Sequence, residues 1–143
     1  MKELKNNSNQ IDASERDYLY ISLSQIPASG NGLFTAIKIY KDEIIAVFKG
    51  EILTDAQATL RAKKNNDNYF INMLDGSIMD SMKVKCFAKY ANDAKGTSSS
   101  GFKNNAKITL DDYQNVCLIA TRDIKIGEEI FCGYGKKYWK KHG

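Results

Sequence analysis

Short segments in which apolar residues alternate with polar ones recur along the chain, separated by clusters of Gly, Ser, Asn and Asp. A spacing of about 8–12 residues between such segments is typical of short strands joined by tight turns. Aromatic and β-branched residues are frequent in them, because such side chains pack well on a pleated sheet. The strand patterns cover residues 18–26, 33–39, 44–48, 106–110, 116–121 and 129–132. The pattern therefore predicts a mainly β domain with few short helices.

Two local motifs in the middle of the chain predict a helix and a hairpin. Thr54 stands three residues before Gln57, which is the spacing of a capping box at the start of a helix. Good helix formers continue to residue 64, so we predict a helix that ends near there. Further on, Asp75-Gly76 lies between the strand-like segments 68–74 and 77–82, and this dipeptide is a strong hairpin signal.

Length and composition indicate one ordinary soluble domain. The chain has 143 residues, of which 43% are apolar and 27% are charged, and both fractions are close to average usage. No apolar run approaches the ~20 residues of a membrane helix. Residues 1–17 are polar and have no apolar core of a signal peptide. We therefore expect a flexible leader at 1–17, a single domain at 18–143 and an intracellular location, cytoplasmic or nuclear.

Cysteine and histidine usage argues against metal and disulfide chemistry. Cys86, Cys117 and Cys132 form no C-x-x-C pair, so they are interpreted as buried thiols in a reducing compartment. The single histidine, His142, is one residue from the C-terminus. Histidine-based triads and metal sites are therefore disfavoured, and no metal is expected.

The charge is uneven along the chain. Lys and Arg number 21 and Asp and Glu number 17, a net charge of +4. Residues 1–80 sum to −2 and residues 81–143 to +6. A basic half can favour nucleic acid, but several of these lysines lie in the polar C-terminal tail. Since no aromatic residues interleave with a basic sheet face, a nucleic-acid binder ranks last among the functions considered.

Four segments are candidates for chemistry, and each has a plain structural alternative. They are residues 29–33 (S-G-N-G-L), 88–93 (A-K-Y-A-N-D), 127–130 (G-E-E-I) and 133–135 (G-Y-G). Taken singly, the first three are ordinary turn or strand material. The tyrosine between two glycines is either a core residue or an exposed hydroxyl group.

Their order is more informative, because together with V-F-K-G-E-I-L-T at residues 47–54 it resembles the SET-domain protein lysine methyltransferases. Residues 29–34 are similar to the family's G-x-G cofactor loop, and 88–92 to its A-R-F-x-N segment. Residues 120–134 (A-T-R-D-I-K-I-G-E-E-I-F-C-G-Y) are similar to A-T-R-D-I-x-x-G-E-E-L-x-x-D-Y. The resemblance extends from about residue 18 to residue 139, which is most of the chain.

The resemblance implies a fold of several small sheets with a C-terminal pseudoknot. It also implies methyl transfer from S-adenosylmethionine to a lysine of a protein or peptide, such as a histone tail or another basic protein. The catalytic residues carried over are Tyr134 and Tyr69, and sheet packing is an equally weighted alternative for Tyr69. The cofactor-binding residues carried over are Gly30, Asn31, Gly32, Leu33, Asn92, Asp93 and Trp139, with core packing as the alternative for Trp139. Gly32→Val is expected to abolish cofactor binding and to leave the fold largely intact.

Several departures from the family pattern keep a second function open. Asp93 and Ala94 stand where the family usually has His and Ser, and Cys132-Gly133 replaces an aromatic residue and Asp. A degenerate domain that binds a peptide without turnover is therefore the main alternative. In the family, the aromatic position two before the catalytic tyrosine influences how many methyl groups are added, and the smaller Cys132 predicts more than one. A homodimer is left open, and no membrane partner is expected.

Overall fold

The computed structural model describes residues 9–27, 29–66, 69–73, 76–94 and 101–133. Within these ranges the elements are β1 (Leu19–Leu23), β2 (Asn31–Thr35), β3 (Ile44–Val47), β4 (Glu51–Leu53), β5 (Phe70–Asn72), β6 (Ile78–Asp80), β7 (Ala106–Leu110), β8 (Val116–Ala120), β9 (Glu129–Ile130), β10 (Cys132–Gly133), the helices α1 (Glu15–Tyr18) and α2 (Asp55–Lys63), and a 3₁₀ helix at Ala88–Tyr90. None of the helices in this described part is long and apolar enough to cross a membrane.

The strands form three small sheets, ordered β1-β2-β9, β10-β7-β8-β3 and β4-β6-β5. All pairings are antiparallel except that of β10 with β7, which is parallel. Most buried apolar side chains of the described residues belong to one large core cluster with members from all three sheets, and two smaller clusters are separate from it. The fully buried members of the large cluster include Leu33, Ile39, Ile45, Ile71, Leu118, Ile124 and Ile130. Burying such a side chain contributes about 1.5–3 kcal/mol, so this shared core holds the small sheets together.

The two local motifs form the predicted structures. Thr54 accepts from the Gln57 N–H over 3.1 Å and the Gln57 side chain accepts from the Thr54 N–H over 2.9 Å, so the capping box is complete at the start of α2. β5 and β6 pair as an antiparallel hairpin. Gly76 in its turn has φ +89°, a backbone conformation that glycine adopts without strain; Asp75 lies outside the described residues.

The predicted strands 18–26 and 33–39 differ from the structure at their ends, since β1 covers only Leu19–Leu23 and β2 covers Asn31–Thr35. β2 begins at Asn31, inside the predicted glycine turn, because Asn31 and Gly32 pair with Leu23 and Ser22 of β1. It ends at Thr35, whose hydroxyl group donates to the Ile37 carbonyl over 2.8 Å and accepts from the Ile37 N–H over 3.1 Å. This local hydrogen bonding competes with the strand ladder.

The predicted strand 129–132 is divided between two sheets. Glu129 and Ile130 pair with β2, whereas Cys132 and Gly133 pair with β7. Phe131 lies between them and forms a parallel bridge with Asn92. The segment thus contacts β7 and Asn92, and the C-terminal pseudoknot stays a prediction.

Part of the predicted leader packs against the sheet edge formed by β3. The Ile44 N–H donates to the Asn9 carbonyl over 2.9 Å, and the Val47 N–H donates to Glu15 Oε2 over 3.0 Å. The Tyr18 hydroxyl donates to the Ile45 carbonyl over 2.7 Å. Because β3 is an edge strand, these groups satisfy backbone atoms that would otherwise lack partners. Asn9 and Glu15 therefore contact the edge strand, while the flexible leader and the domain boundaries stay predictions.

Candidate functional site

Asn92 joins the glycine turn to the C-terminal strands. Its Nδ2 donates to the Asn31 carbonyl over 3.0 Å, across 61 positions of sequence. Its own carbonyl accepts from the Cys132 N–H over 2.9 Å. The candidate segments 29–33 and 88–93 therefore meet at this asparagine. Cys132, which it also contacts, lies between the candidate segments 127–130 and 133–135.

The glycine turn lies beside Asn92, and its residues Gly30 and Asn31 are exposed. The Ser24 N–H donates to the Gly30 carbonyl over 2.8 Å, which closes the loop between β1 and β2. Gly30 has φ +67°, and no atom lies within 4 Å of the position that a Cβ would occupy. Asn31 is exposed, whereas the Leu33 side chain is fully buried in the core. Ligand binding by Leu33 stays a prediction, and its side chain serves packing here.

A buried carboxyl group lies directly under this turn. Glu129 has no exposed surface. It accepts from the Ser24 hydroxyl over 2.7 Å and from the Gln25 N–H over 2.8 Å. A Cβ on Gly32 would overlap the Glu129 carboxyl group. The expectation that Gly32→Val leaves the fold largely intact is therefore wrong, because the glycine is needed for this internal contact.

Asn105 fixes the segment on which Glu129 lies. Its Nδ2 donates to the Glu129 carbonyl over 2.9 Å, and its Oδ1 accepts from the Phe131 N–H over 2.8 Å. Its side chain is fully buried. Asn105 belongs to none of the candidate segments, and Glu129 belongs to the segment 127–130, whose sequence did not predict that its side chain is buried. The sequence signal for such a buried polar residue is a charged or amide side chain next to an apolar run. Exposed turns commonly show the same pattern, so the signal is not specific.

The glutamate before Glu129 belongs to the turn and points elsewhere. Gly127 has φ +83° in this turn. Glu128 accepts from Arg122 Nη2 over 2.6 Å and from the Lys125 N–H over 2.8 Å. Partial burial opposes ionisation of Glu128, but these hydrogen bonds and the Arg122 charge hold its pKa below the usual value. The paired glutamates of the G-E-E motif therefore have different structural roles.

Tyr69 lies on the third sheet and contacts a lysine of the A-K-Y-A-N segment. Lys89 Nζ is 5.4 Å from the centre of the Tyr69 ring and 5.5 Å from that of Tyr90. The same ammonium group donates to the carbonyls of Ser81, Met82 and Val84 over 2.9, 3.1 and 3.1 Å. Lys89 therefore connects Tyr69 to the 3₁₀ helix that leads to Asn92. A role of Tyr69 in a lysine channel stays a prediction.

The remaining predicted site residues divide into one described residue and two that lie outside. Asp93 Oδ1 accepts from Asn104 Nδ2 over 3.0 Å, so the Asp93 side chain is turned toward the chain before β7. Tyr134 and Trp139 lie outside the described residues. Within the described ranges, no three His, Cys, Asp or Glu side chains form a group that could hold a metal ion.

A cavity of about 1150 Å³ lies apart from the predicted site residues. It is bounded by α1, β3 and the side chains of Phe87 and Tyr90. Glu15 and Asp111 place negative charge on its wall, and Lys49 and Lys85 place positive charge there. This mixture favours no ligand class, so the candidate site is assigned to the Asn31–Asn92 contact.

Comparison with protein families and characterised proteins gives consistent matches. The family model described as SET domain matches residues 30–135. Histone-lysine N-methyltransferase mes-2 of Caenorhabditis elegans is 28% identical over 110 residues, which cover 74% of this chain and 14% of the relative. Histone-lysine N-methyltransferase EZH2 of Chaetomium thermophilum is 26% identical over 126 residues, covering 80% of this chain and 8% of the relative. The chain thus spans a small part of either relative.

Solved structures show the same fold. The complex ctPRC2 in an autoinhibited conformation bound to S-adenosylmethionine superposes with a TM-score of 0.68 at 24% identity, covering 85% of this chain and 15% of that chain. A humanized mutant of the Chaetomium thermophilum Polycomb Repressive Complex 2 bound to the inhibitor GSK126 gives a TM-score of 0.67 at 23% identity, covering 84% and 15%. These likenesses confirm the predicted fold class of several small sheets with few helices.

Proposed function

This chain belongs to the SET-domain family, and from that premise we propose that it is an S-adenosylmethionine-dependent protein-lysine N-methyltransferase. The observation that carries the proposal is the pair of hydrogen bonds of Asn92, to Asn31 and to Cys132. They bring the glycine turn and the chain just before Tyr134 to one place. Two relatives are named as histone-lysine N-methyltransferases, which supports a histone tail or another basic protein segment as the substrate.

The residues present fit the amino-acid end of S-adenosylmethionine. Gly30 leaves open space where a side chain would project. The exposed Asn31 backbone and the partly exposed Asn92 amide offer polar groups beside that space. Such a donor and acceptor set suits an ammonium and a carboxylate group. Gly30, Asn31 and Asn92 would hold the cofactor, with Asp93 adjoining. When bound, the cofactor supplies an activated methyl group on a sulfonium sulfur.

The protein's part in the reaction is to orient the reactants and to favour the neutral amine. A free lysine has a pKa of ~10.4, so at neutral pH it is almost entirely an ammonium group without a lone pair. A narrow aromatic channel lowers that pKa by desolvating the charged form. Tyr69 is proposed as part of the channel wall, and the Tyr134 hydroxyl group as the group that orients the methyl. Holding the reactants in line can supply several kcal/mol of the barrier.

The test is methyl transfer from labelled S-adenosylmethionine to a panel of core histones and basic peptides, with products identified by mass spectrometry. Asn92→Ala is expected to reduce both cofactor affinity and transfer, because it removes the side-chain link to Asn31. Asn115→Ala is the matched control, since its amide contacts Asp111 in an exposed turn. Equal loss in both variants, or no transfer to any lysine substrate, would contradict the proposal.

The degenerate peptide-binding module remains the second candidate, because positions 93 and 133 depart from the family pattern. Titration with S-adenosylmethionine separates the two functions. An enzyme binds the cofactor saturably and consumes it in the presence of substrate. Saturable peptide binding without cofactor binding would favour the module.

A further inference from the structure

The two departures from the family pattern, Asp93 and Gly133, lie next to each other and share the neighbour Asn104. Asn104 Nδ2 donates to Asp93 Oδ1 over 3.0 Å. The Asn104 Oδ1 accepts from the Ala94 N–H over 2.8 Å. Both polar ends of one amide are therefore used on the segment that follows Asn92.

Gly133 leaves the space that this contact needs. A Cβ on Gly133 would lie 3.1 Å from Asn104 Nδ2 and 3.9 Å from Asp93 Oδ2. The first distance is tighter than an ordinary van der Waals contact, so a side chain at position 133 would require Asn104 to move. Gly133 is also held by its parallel pairing with Lys107 of β7. Gly133 thus pairs with β7 and leaves room for the Asn104 side chain.

The charge distribution explains why the two departures occur together. In the family pattern quoted above, the carboxylate precedes the tyrosine, at position 133, and position 93 is a histidine. Here the carboxylate is on residue 93 and position 133 has no side chain. Two carboxylates at both positions would be close neighbours and would repel each other. One carboxylate at either position avoids this repulsion.

We propose that Asp93 and Asn104 are positioning residues for methyl transfer: their side-chain pair fixes the backbone at Gly133, and Asp93 supplies from its own segment the carboxylate that the family pattern carries at position 133. This inference rests on the proposed function. If it is correct, the carboxylate at position 93 compensates for its absence at position 133, and the two departures are not independent.

The test is a grid of variants that separates charge from size. The variants combine three residues at position 133 (Gly, Asn or Asp) with two residues at position 93 (Asp or Asn). Asn and Asp at position 133 have nearly the same volume, so they differ mainly in charge. The kcat for methyl transfer is expressed per cofactor-binding site, counted by calorimetry, and KM for the peptide is measured in parallel. Counting sites removes the effect of misfolded protein, which a purely structural role would increase. The melting temperature is recorded for every variant.

Gly133→Asp is expected to lower kcat at least ~10-fold below Gly133→Asn, with little change in KM. In the Gly133→Asp background, Asp93→Asn should raise kcat at least ~10-fold, which equals about 1.4 kcal/mol in the activation free energy. In the Gly133→Asn background the same change should instead lower kcat at least ~10-fold, because neither position then has a carboxylate. Asp123→Asn is the control: it removes a carboxylate that accepts from the Lys41 N–H in an exposed turn, and it should rescue nothing.

Equal activity of Gly133→Asp with either residue at position 93, or equal rescue by Asp123→Asn, would overturn the positioning role. Asn104→Leu adds a second measurement. It should lower kcat per site, and so should Asp93→Asn alone, because each removes one partner of the Asp93–Asn104 contact. A wild-type protein without methyl transfer would instead overturn the proposed function. In that case the cofactor affinity of the same variants would show whether positions 93 and 133 are coupled. Additive effects of the two substitutions on the binding free energy would refute the coupling as well.

Discussion

Replacing Gly32 by alanine tests whether the glycine turn is held from below by Glu129. The added Cβ would overlap the Glu129 carboxyl group and would also lie 3.2 Å from the Ser24 Cβ. Gly32 is extended backbone within β2, with no positive φ. The cost of the substitution therefore comes from the overlap and not from backbone strain.

The magnitude follows from the contacts that the carboxyl group would lose on moving. Glu129 accepts two hydrogen bonds, from the Ser24 hydroxyl and the Gln25 N–H. Hydrogen bonds to a charged acceptor contribute about 1.5–3 kcal/mol each. Displacing the group should therefore cost at least about 3 kcal/mol, which is a large part of the ~5–15 kcal/mol that keeps a domain folded.

Equilibrium urea unfolding measures this cost in a double-mutant cycle of Gly32→Ala and Glu129→Ala. In the Glu129→Ala background, Gly32→Ala should cost less than ~1 kcal/mol, because the overlapping group is gone. The coupling should reach about 2 kcal/mol, within the range seen for contacting residues. Ser22→Ala is the matched control on the neighbouring strand, since Ser22 is exposed and pairs with Gly32. Additive free energies, or a Gly32→Ala variant as stable as the wild type, would refute the reasoning.

Three further predictions concern activity and pH. Tyr134→Phe should lower turnover at least ~100-fold at saturating cofactor and peptide, equivalent to ~2.7 kcal/mol, with little change in melting temperature; activity within a few-fold of wild type would remove Tyr134 from the site. The wild type should form di- or trimethyl-lysine, and Cys132→Tyr should shift the product toward monomethyl-lysine by mass spectrometry. Since Cys132 is fully buried, the larger tyrosine should also lower the free energy of unfolding by ~1–3 kcal/mol through overpacking. Burial raises the pKa of Glu15, although its carboxylate accepts a hydrogen bond from the Val47 N–H. The Glu15 carboxyl group therefore binds a proton more tightly in the folded protein than in the unfolded protein. The contribution of Glu15 to the free energy of unfolding should then fall as pH rises through the range in which carboxyl groups titrate. Glu15→Gln keeps a hydrogen-bond acceptor, so this variant should be at least as stable as the wild type at pH 7. A lower free energy of unfolding for Glu15→Gln in urea would contradict this prediction.

Elements with local signals were predictable from the sequence. The capping box of α2 and the hairpin of β5 and β6 depend on residues within a few positions of one another, so their side chains and turns report directly on structure. The predicted strand 129–132 failed for a non-local reason. Its residues pair with β2 on one side of Phe131 and with β7 on the other. An alternating pattern cannot show where a strand changes partner.

The candidate site was predictable only through the order of its motifs. No local pattern indicates that the Asn92 side chain reaches a carbonyl 61 positions away. The burial of Glu129 and Asn105 was missed for a related reason. Both are fully buried polar residues, and polarity alone suggests exposure. Their burial is tolerable because each is hydrogen-bonded to a distant backbone or side chain, which is a property of the fold.

The contacts of Lys89 change the balance between the two interpretations of Tyr69. If the Tyr69 ring only packed the third sheet, its environment would be independent of the Asn92 segment. Instead, the Lys89 ammonium group lies near the faces of both Tyr69 and Tyr90. Lys89 is also anchored by the carbonyls of the chain after β6. Because Tyr90 precedes Asn92 by two positions, a displacement of Tyr69 would be transmitted to the residue that joins the glycine turn to β10. Packing of Tyr69 is therefore compatible with a role in the site, and that role stays a prediction.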